Sequence, residues 1–225
     1  MMANQWAKRG VFILIIFSGF IFYFLFLHNR VTLKDLPYIG PRLGTVANET
    51  TGKEDTIYHT VPPFSFVDQN GDILSSDVFH GHIYVTDFFF ARCQGVCPIM
   101  TRQMKRVQDA FKDDDDILIL SHTVDPGHDT SEALKAYGEM YGAIPGKWFF
   151  VTGEKDSIYQ LAERGYFLTA APGVAGGEAF LHDQHFMLVD REGHLRGLYE
   201  GTDSMEVTRL IDEIRILKKS YGEGH

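Results

Sequence analysis

Residues 83–90 read IYVTDFFF and residues 91–98 read ARCQGVCP. The first stretch is a nearly unbroken apolar run with β-branched positions, the pattern of a central strand buried on both faces. The second carries the only two cysteines, Cys93 and Cys97, and ends at Pro98. Proline fits the first turn of a helix, which the spacing predicts over residues 98–111. Residues 117–124 (ILILSHTV) repeat the character of the first run, giving a β-α-β unit with the cysteines at its first strand-to-helix junction.

Working outward, residues 64–67 and 73–74 flank Asp68-Gln69-Asn70-Gly71, whose Asn-Gly is a strong hairpin signal. Asp129-x-x-Glu132 and Asp203-x-x-Glu206 are placed like capping boxes, opening helices near residues 131–141 and 204–219. A strand at 148–151 and a short helix at 157–164 lie between them. Residues 184–189 and 195–199 form a closing hairpin around Arg191-Glu192-Gly193. This order predicts an α/β, thioredoxin-like fold over residues 61–225.

Residues 11–27, VFILIIFSGFIFYFLFL, have no charged side chain. As a helix they span about 25 Å, close to a hydrocarbon core about 30 Å thick. No A-x-A pattern follows, so the segment reads as an uncleaved transmembrane helix rather than a signal peptide. Residues 1–30 are then a cytoplasmic tip and membrane anchor. Residues 31–60, with Pro37, Gly40, Pro41, Gly44 and Gly52, read as a tether. A short N-terminus staying in the cytoplasm sends the domain to the far side, the periplasmic face of a bacterial inner membrane. A cysteine pair there can be oxidised, reduced or metal-loaded.

Composition removes several classes. Two cysteines cannot staple a disulfide scaffold. The net charge is −9, and all 30 acidic residues follow residue 30. A body that acidic repels a phosphate backbone, so no nucleic acid is expected as a partner.

Cys93 and Cys97 would sit where helix N–H groups favour a thiolate. With Gly95 letting the loop fold back, the pair can close into a disulfide or hold one metal from two sulfurs. Redox centres of the thioredoxin type use C-x-x-C, and the extra residue here suits chelation at least as well. Two thiolates give a linear Cu(I) site, whereas Cu(II) wants imidazole as well. Of the ten histidines, His59, His80, His82, His122, His128 and His225 have no distinguishing context, and His194 lies at a hairpin turn. His182 and His185 follow residues 171–180 (APGVAGGEAF), a glycine-rich stretch that reads as a mobile loop feeding a strand. At most one of the two is expected to face the cysteines.

Residues 88–101 (FFFARCQGVCPIMT) resemble the C-x-x-x-C-P block of the Sco/SenC family of copper-binding assembly factors, and Val124-Asp125-Pro126-Gly127-His128-Asp129-Thr130 resembles that family's D-P-x-x-D-T element. His182 opens a run ending at Asp190-Arg191-Glu192-Gly193, similar in spacing to the family's ligand histidine, strand and turn glycine. The resemblance implies a copper site formed by Cys93, Cys97 and His182, choosing His182 over His185. It also implies a redox-active Cys93–Cys97 pair, and a metallochaperone rather than an enzyme. Many members carry Asp before that histidine; here Leu181 precedes it and Asp183 follows.

The implied role is delivery of copper to the copper A centre of cytochrome c oxidase subunit II or a similar acceptor, or reduction of that centre's cysteines, with an upstream copper donor or thiol reductant. A general thiol–disulfide oxidoreductase is the alternative. The C-x-x-x-C spacing and the lack of a proline just before residue 184 weigh against it. Val96-Cys97-Pro98 also suggests a peroxiredoxin, but Gln94 stands where the family's threonine is usual.

Overall fold

The computed structural model describes residues 17–19, 36–47, 54–168 and 183–222. Nine strands and four helices follow one another from Arg42: β1 (Arg42–Ala47), β2 (Glu54–Tyr58), β3 (Ser65–Asp68), β4 (Ile73–Ser75), β5 (Ile83–Phe89), α1 (Cys97–Ala110), β6 (Ile117–Thr123), α2 (Ser131–Tyr141), β7 (Trp148–Thr152), α3 (Lys155–Tyr166), β8 (His185–Val189), β9 (Leu195–Glu200) and α4 (Ser204–Ser220). Seven strands form one sheet in the order β4-β3-β7-β6-β5-β8-β9. β5, β6 and β7 run parallel at its centre, with β3 and β8 antiparallel on either side.

Every residue of β5 and β6 is buried, as their continuous apolar runs require. Alternation then sorts them. Ile83, Val85, Ile117 and Ile119 pack with Met100, Met104 and Val107 of α1, Leu134 of α2 and Leu210 and Ile214 of α4. Tyr84, Phe88, Leu118 and Leu120 face Ile158, Leu161 and Tyr166 of α3. Each such side chain contributes roughly 1.5–3 kcal/mol by leaving water. The β3–β4 turn forms as its sequence predicts: Gly71 has φ 85°, and the Asp68 carboxylate accepts the N–H groups of Asn70 (2.7 Å) and Asp72 (3.0 Å).

Two local details differ from the sequence pattern. Thr130, not Asp129, caps α2 by accepting the Ala133 N–H, while the Asp129 carboxylate turns elsewhere. Within the stretch read as a tether, β1 and β2 pair as a separate antiparallel hairpin. The preceding segment is fastened to β9. Ile39 N–H donates to the Leu195 carbonyl at 2.8 Å, and the buried Arg196 guanidinium donates to the carbonyls of Leu36 and Pro37 and to Asp190. Arg196 also lies 4.2 Å from the Tyr38 ring centre, and Tyr38 stacks on Tyr58 of the hairpin at 4.0 Å.

Among the described residues no helix is long and apolar enough to cross a membrane. The apolar run at 11–27 lies almost wholly outside the described residues, as do His182, His225 and residues 171–180.

Candidate functional site

β5 ends at Phe89 and α1 begins at Cys97, so residues 90–96 form the loop that carries Cys93. The Cys93 N–H donates to the Phe90 carbonyl at 3.1 Å. No side chain caps α1, because the N-cap is Val96, and Pro98 occupies the first turn without wasting a donor. The open N–H groups are instead turned to sulfur. Both cysteines are free thiols, Cys93 partly exposed and Cys97 buried.

That difference in depth separates their acidities. Partial burial works against the Cys93 thiolate, but hydrogen bonds from the Cys97 thiol and from the N–H groups of Cys97, Gly95 and Val96 outweigh it, leaving the Cys93 pKa lowered. Cys97 is pushed up to about 12, chiefly by burial; a hydrogen bond from the Phe90 backbone opposes this, and the Cys93 sulfur and Asp87 add to it. Gly95 has no positive φ, and a Cβ there would lie 4.0 Å from the Cys93 sulfur, so the fold-back of the loop does not depend on glycine.

Both sulfurs border a cleft of about 360 Å³ walled by Phe88, Phe89, Phe90, Val96 and Val124. Asp183 and Gln184 close its other side. These are the residues that immediately follow His182. His185 does not line the cleft: it opens β8, where its N–H and ring Nδ1 both face the Asp183 carboxylate, at 2.7 and 3.2 Å. The apolar walls lower the local dielectric around the sulfurs, most of all at the buried Cys97.

The loop after β6 braces the cysteine loop. Asp125 pairs with the Arg92 guanidinium and with His128 Nδ1, both at 2.8 Å, and these contacts outweigh partial burial to hold its carboxyl below the usual range. Asp129 is fully buried and accepts the Ala91 N–H at 3.0 Å and the Thr123 hydroxyl at 2.5 Å.

Two buried titratable groups were not singled out by sequence. Asp87 lies on the α1 face of β5, where burial lifts its pKa to about 7 despite a 2.6 Å hydrogen bond from Ser121. A carboxyl interrupting an apolar strand just ahead of the cysteines is the signal that could have found it. His122 lies on the opposite face of the sheet, stacked on Phe88 at 4.8 Å and edged by Phe64 and Phe66, both at 5.7 Å. Neither ring nitrogen has a hydrogen-bond partner among the described residues, and burial depresses its pKa to about 3.

Among the described residues, Asp190, Glu192 and His194 are the group whose ligand-type atoms lie within 4.8 Å of one another. Asp190 is already engaged by Arg196 and by the N–H groups of Glu192 and His194, so the cluster is a turn staple beside a fixed cation.

The sequence model of the SCO1/SenC family covers residues 52–218. The chain belongs to that family. Among SCO1/SenC relatives, the SCO1 homologue of Bacillus subtilis is 28% identical over 163 residues, 72% of this chain and 84% of its own. A protein of Stutzerimonas stutzeri whose name ascribes copper binding to it is 27% identical over 140 residues, 61% of this chain and 67% of its own. A SCO1/SenC lipoprotein from Bacillus anthracis has the same fold, with a TM-score of 0.64 at 27% identity over 70% of this chain and 94% of its own. BsSco, described as a Sco-family cytochrome c oxidase assembly protein with a disulfide switch, gives a TM-score of 0.62 at 25% identity over 80% of this chain and 98% of its own. The thioredoxin-like expectation thus holds for the SCO1/SenC domain.

Proposed function

We propose that this chain is a membrane-anchored copper chaperone that carries one copper ion between Cys93, Cys97 and His182. Its acceptor would be the copper A centre of cytochrome c oxidase subunit II or a similar site. The observation that carries this reading is the shared cleft: both sulfurs border it together with Asp183 and Gln184, the two residues after His182. Family membership, the copper-binding name of one relative and the assembly role ascribed to another support it.

The chemistry follows from the two sulfurs. Cu(I) is soft and takes two thiolates readily, while an imidazole adds the ligand that Cu(II) requires. Cys93 is the better first ligand, because its charge is already stabilised. Cys97 must then give its proton to water as its sulfur joins the metal. An apolar wall disfavours hydrated copper and favours exchange to a partner that presents its own sulfur.

The reading includes an anchor at residues 11–27 and a periplasmic domain on a bacterial inner membrane. An apolar run of near-spanning length and a short N-terminus support both. A membrane-impermeant maleimide applied to spheroplasts should label Cys93; labelling only after lysis would place the domain inside.

The site test uses the detergent-solubilised full chain. One copper per chain is expected, lost on Cys93→Ser or Cys97→Ser. His182→Ala should keep Cu(I) but lose the intense thiolate-to-Cu(II) absorption. Loss of that absorption in His185→Ala, with His182→Ala unchanged, would overturn the ligand assignment.

Thiol–disulfide exchange is a second reading, favoured by the unequal thiols. The Cys93 thiolate would attack a partner disulfide and displace one partner sulfur; deprotonated Cys97 would then attack the Cys93–partner bond, leaving the partner as a dithiol and this chain as the disulfide. The high pKa of Cys97 makes that second step slow. Rapid insulin reduction without copper binding would favour this reading.

A further inference from the structure

We propose that Asp129 is a positioning residue for Cys93, acting through the backbone of Ala91; this rests on Cys93 being the lead sulfur of the site proposed above. Asp129 stands one residue before the cap of α2, where a short acidic side chain would ordinarily serve its own helix. Its carboxylate crosses instead to the neighbouring loop. Oδ2 accepts the Ala91 N–H at 3.0 Å and the Thr123 hydroxyl at 2.5 Å, and Thr123 Oγ1 in turn accepts the Asp125 N–H at 3.0 Å. A bond from Val124 N–H to the Phe89 carbonyl, 2.8 Å, ties the same two loops one step earlier. Ala91 lies two residues before Cys93, so Asp129 fixes where the cysteine loop leaves the sheet.

Oδ1 of Asp129 is buried and has no partner among the described residues. A side chain selected for stability alone would not leave an oxygen bare, because an unsatisfied buried acceptor is a cost to folding. The arrangement makes sense if the Oδ2 contacts hold the loop in the form where the N–H groups of Gly95, Val96 and Cys97 converge on the Cys93 sulfur. Asparagine can reproduce this: its amide oxygen accepts both bonds, and its NH₂ replaces an oxygen that had no donor to lose. Alanine cannot.

The test compares Asp129→Ala, Asp129→Asn and Thr123→Ala in the purified full chain. One readout is the dithiol–disulfide equilibrium of Cys93 and Cys97 against reduced and oxidised dithiothreitol; the other is the position and width of the thiolate-to-Cu(II) band. Asp129→Ala should shift the equilibrium about tenfold toward the disulfide, about 30 mV, and broaden the band, with unchanged far-ultraviolet circular dichroism. Thr123→Ala should shift it in the same direction by about threefold, and it decides the matter if Asp129→Ala does not fold. Asp129→Asn should restore both readouts to within twofold of wild type. An Asp129→Ala or Thr123→Ala equilibrium within twofold of wild type overturns the proposal. So does a folded Asp129→Asn that behaves like Asp129→Ala, because charge rather than placement would then be at work. A wild-type chain that binds no copper would sink the copper reading while the dithiothreitol equilibrium still judges Asp129.

Discussion

The Cys97 thiol hydrogen-bonds the Cys93 sulfur, which helps to lower the Cys93 pKa, while burial pushes that of Cys97 up. Iodoacetamide at neutral pH should therefore label Cys93 at least about tenfold faster than Cys97, since the thiolate is the nucleophile. Mass spectrometry of peptides cleaved between the two would read the ratio. Cys97→Ser should slow Cys93 labelling only modestly, because the backbone N–H donors remain. Equal labelling of the two sulfurs would contradict this difference.

Copper should compete with protons at Cys97. With its pKa pushed up to about 12, its thiol keeps its proton near neutrality, so each Cu(I) bound by both sulfurs releases that proton. Apparent Cu(I) affinity should then rise about tenfold per pH unit between pH 6 and 8 from this group alone. Titration against a chelator of known proton inventory measures the slope; a flat profile would mean that Cys97 does not ligate.

His122 and Asp87 should tilt the stability curve in opposite directions. With its folded pKa depressed from 6.5 to about 3, His122 lets the unfolded chain bind more protons in that window, so its contribution falls as pH drops through it. Asp87, raised from 3.8 to about 7, binds its proton more tightly when folded, so stability falls as pH rises through that window. His122→Phe should flatten the acid limb and raise stability at pH 7 by about 1–2 kcal/mol, since two unpartnered nitrogens leave an aromatic cage. Asp87→Asn should remove the decline toward pH 7. Urea midpoints across pH 4–8 test both; a steeper acid limb in His122→Phe would refute the assignment.

Arg196 should be the most sensitive charge in the domain. It is buried against Asp190 and two backbone carbonyls, so Arg196→Ala leaves a buried carboxylate without its cation and two carbonyls without this donor. The expected loss is about 3–5 kcal/mol, against less than about 1 for the exposed Arg215→Ala, whose partner Asp212 is also exposed. Comparable denaturation midpoints for the two variants would show that the Arg196 contacts are not structural.

Much of this architecture is written locally. The runs at 83–90 and 117–124 announce buried strands because both faces are covered, and Asp203 caps α4 through the Met205 N–H, as its spacing implies. Asp129 misleads because its residue type suits a cap as well as a cross-loop acceptor, and only tertiary structure decides which N–H it meets. β1 and β2 escape notice because both faces are largely exposed, so no period-2 alternation marks them. The cysteine pair is legible from its isolation at a strand–helix junction; the inequality of its thiols is not, because burial and N–H convergence arise only once the loop closes.

The fastening of residues 36–39 to β9 sets where this protein can be cut. A truncation beginning at Val61 would retain the whole seven-stranded sheet yet strip Arg196 of its carbonyl acceptors and bare the pocket that holds Leu36. Trimming just ahead of Leu36 spares both, so the smallest well-behaved piece starts 29 residues before Ser65, where the first strand of the main sheet begins, within the stretch that reads as a spacer.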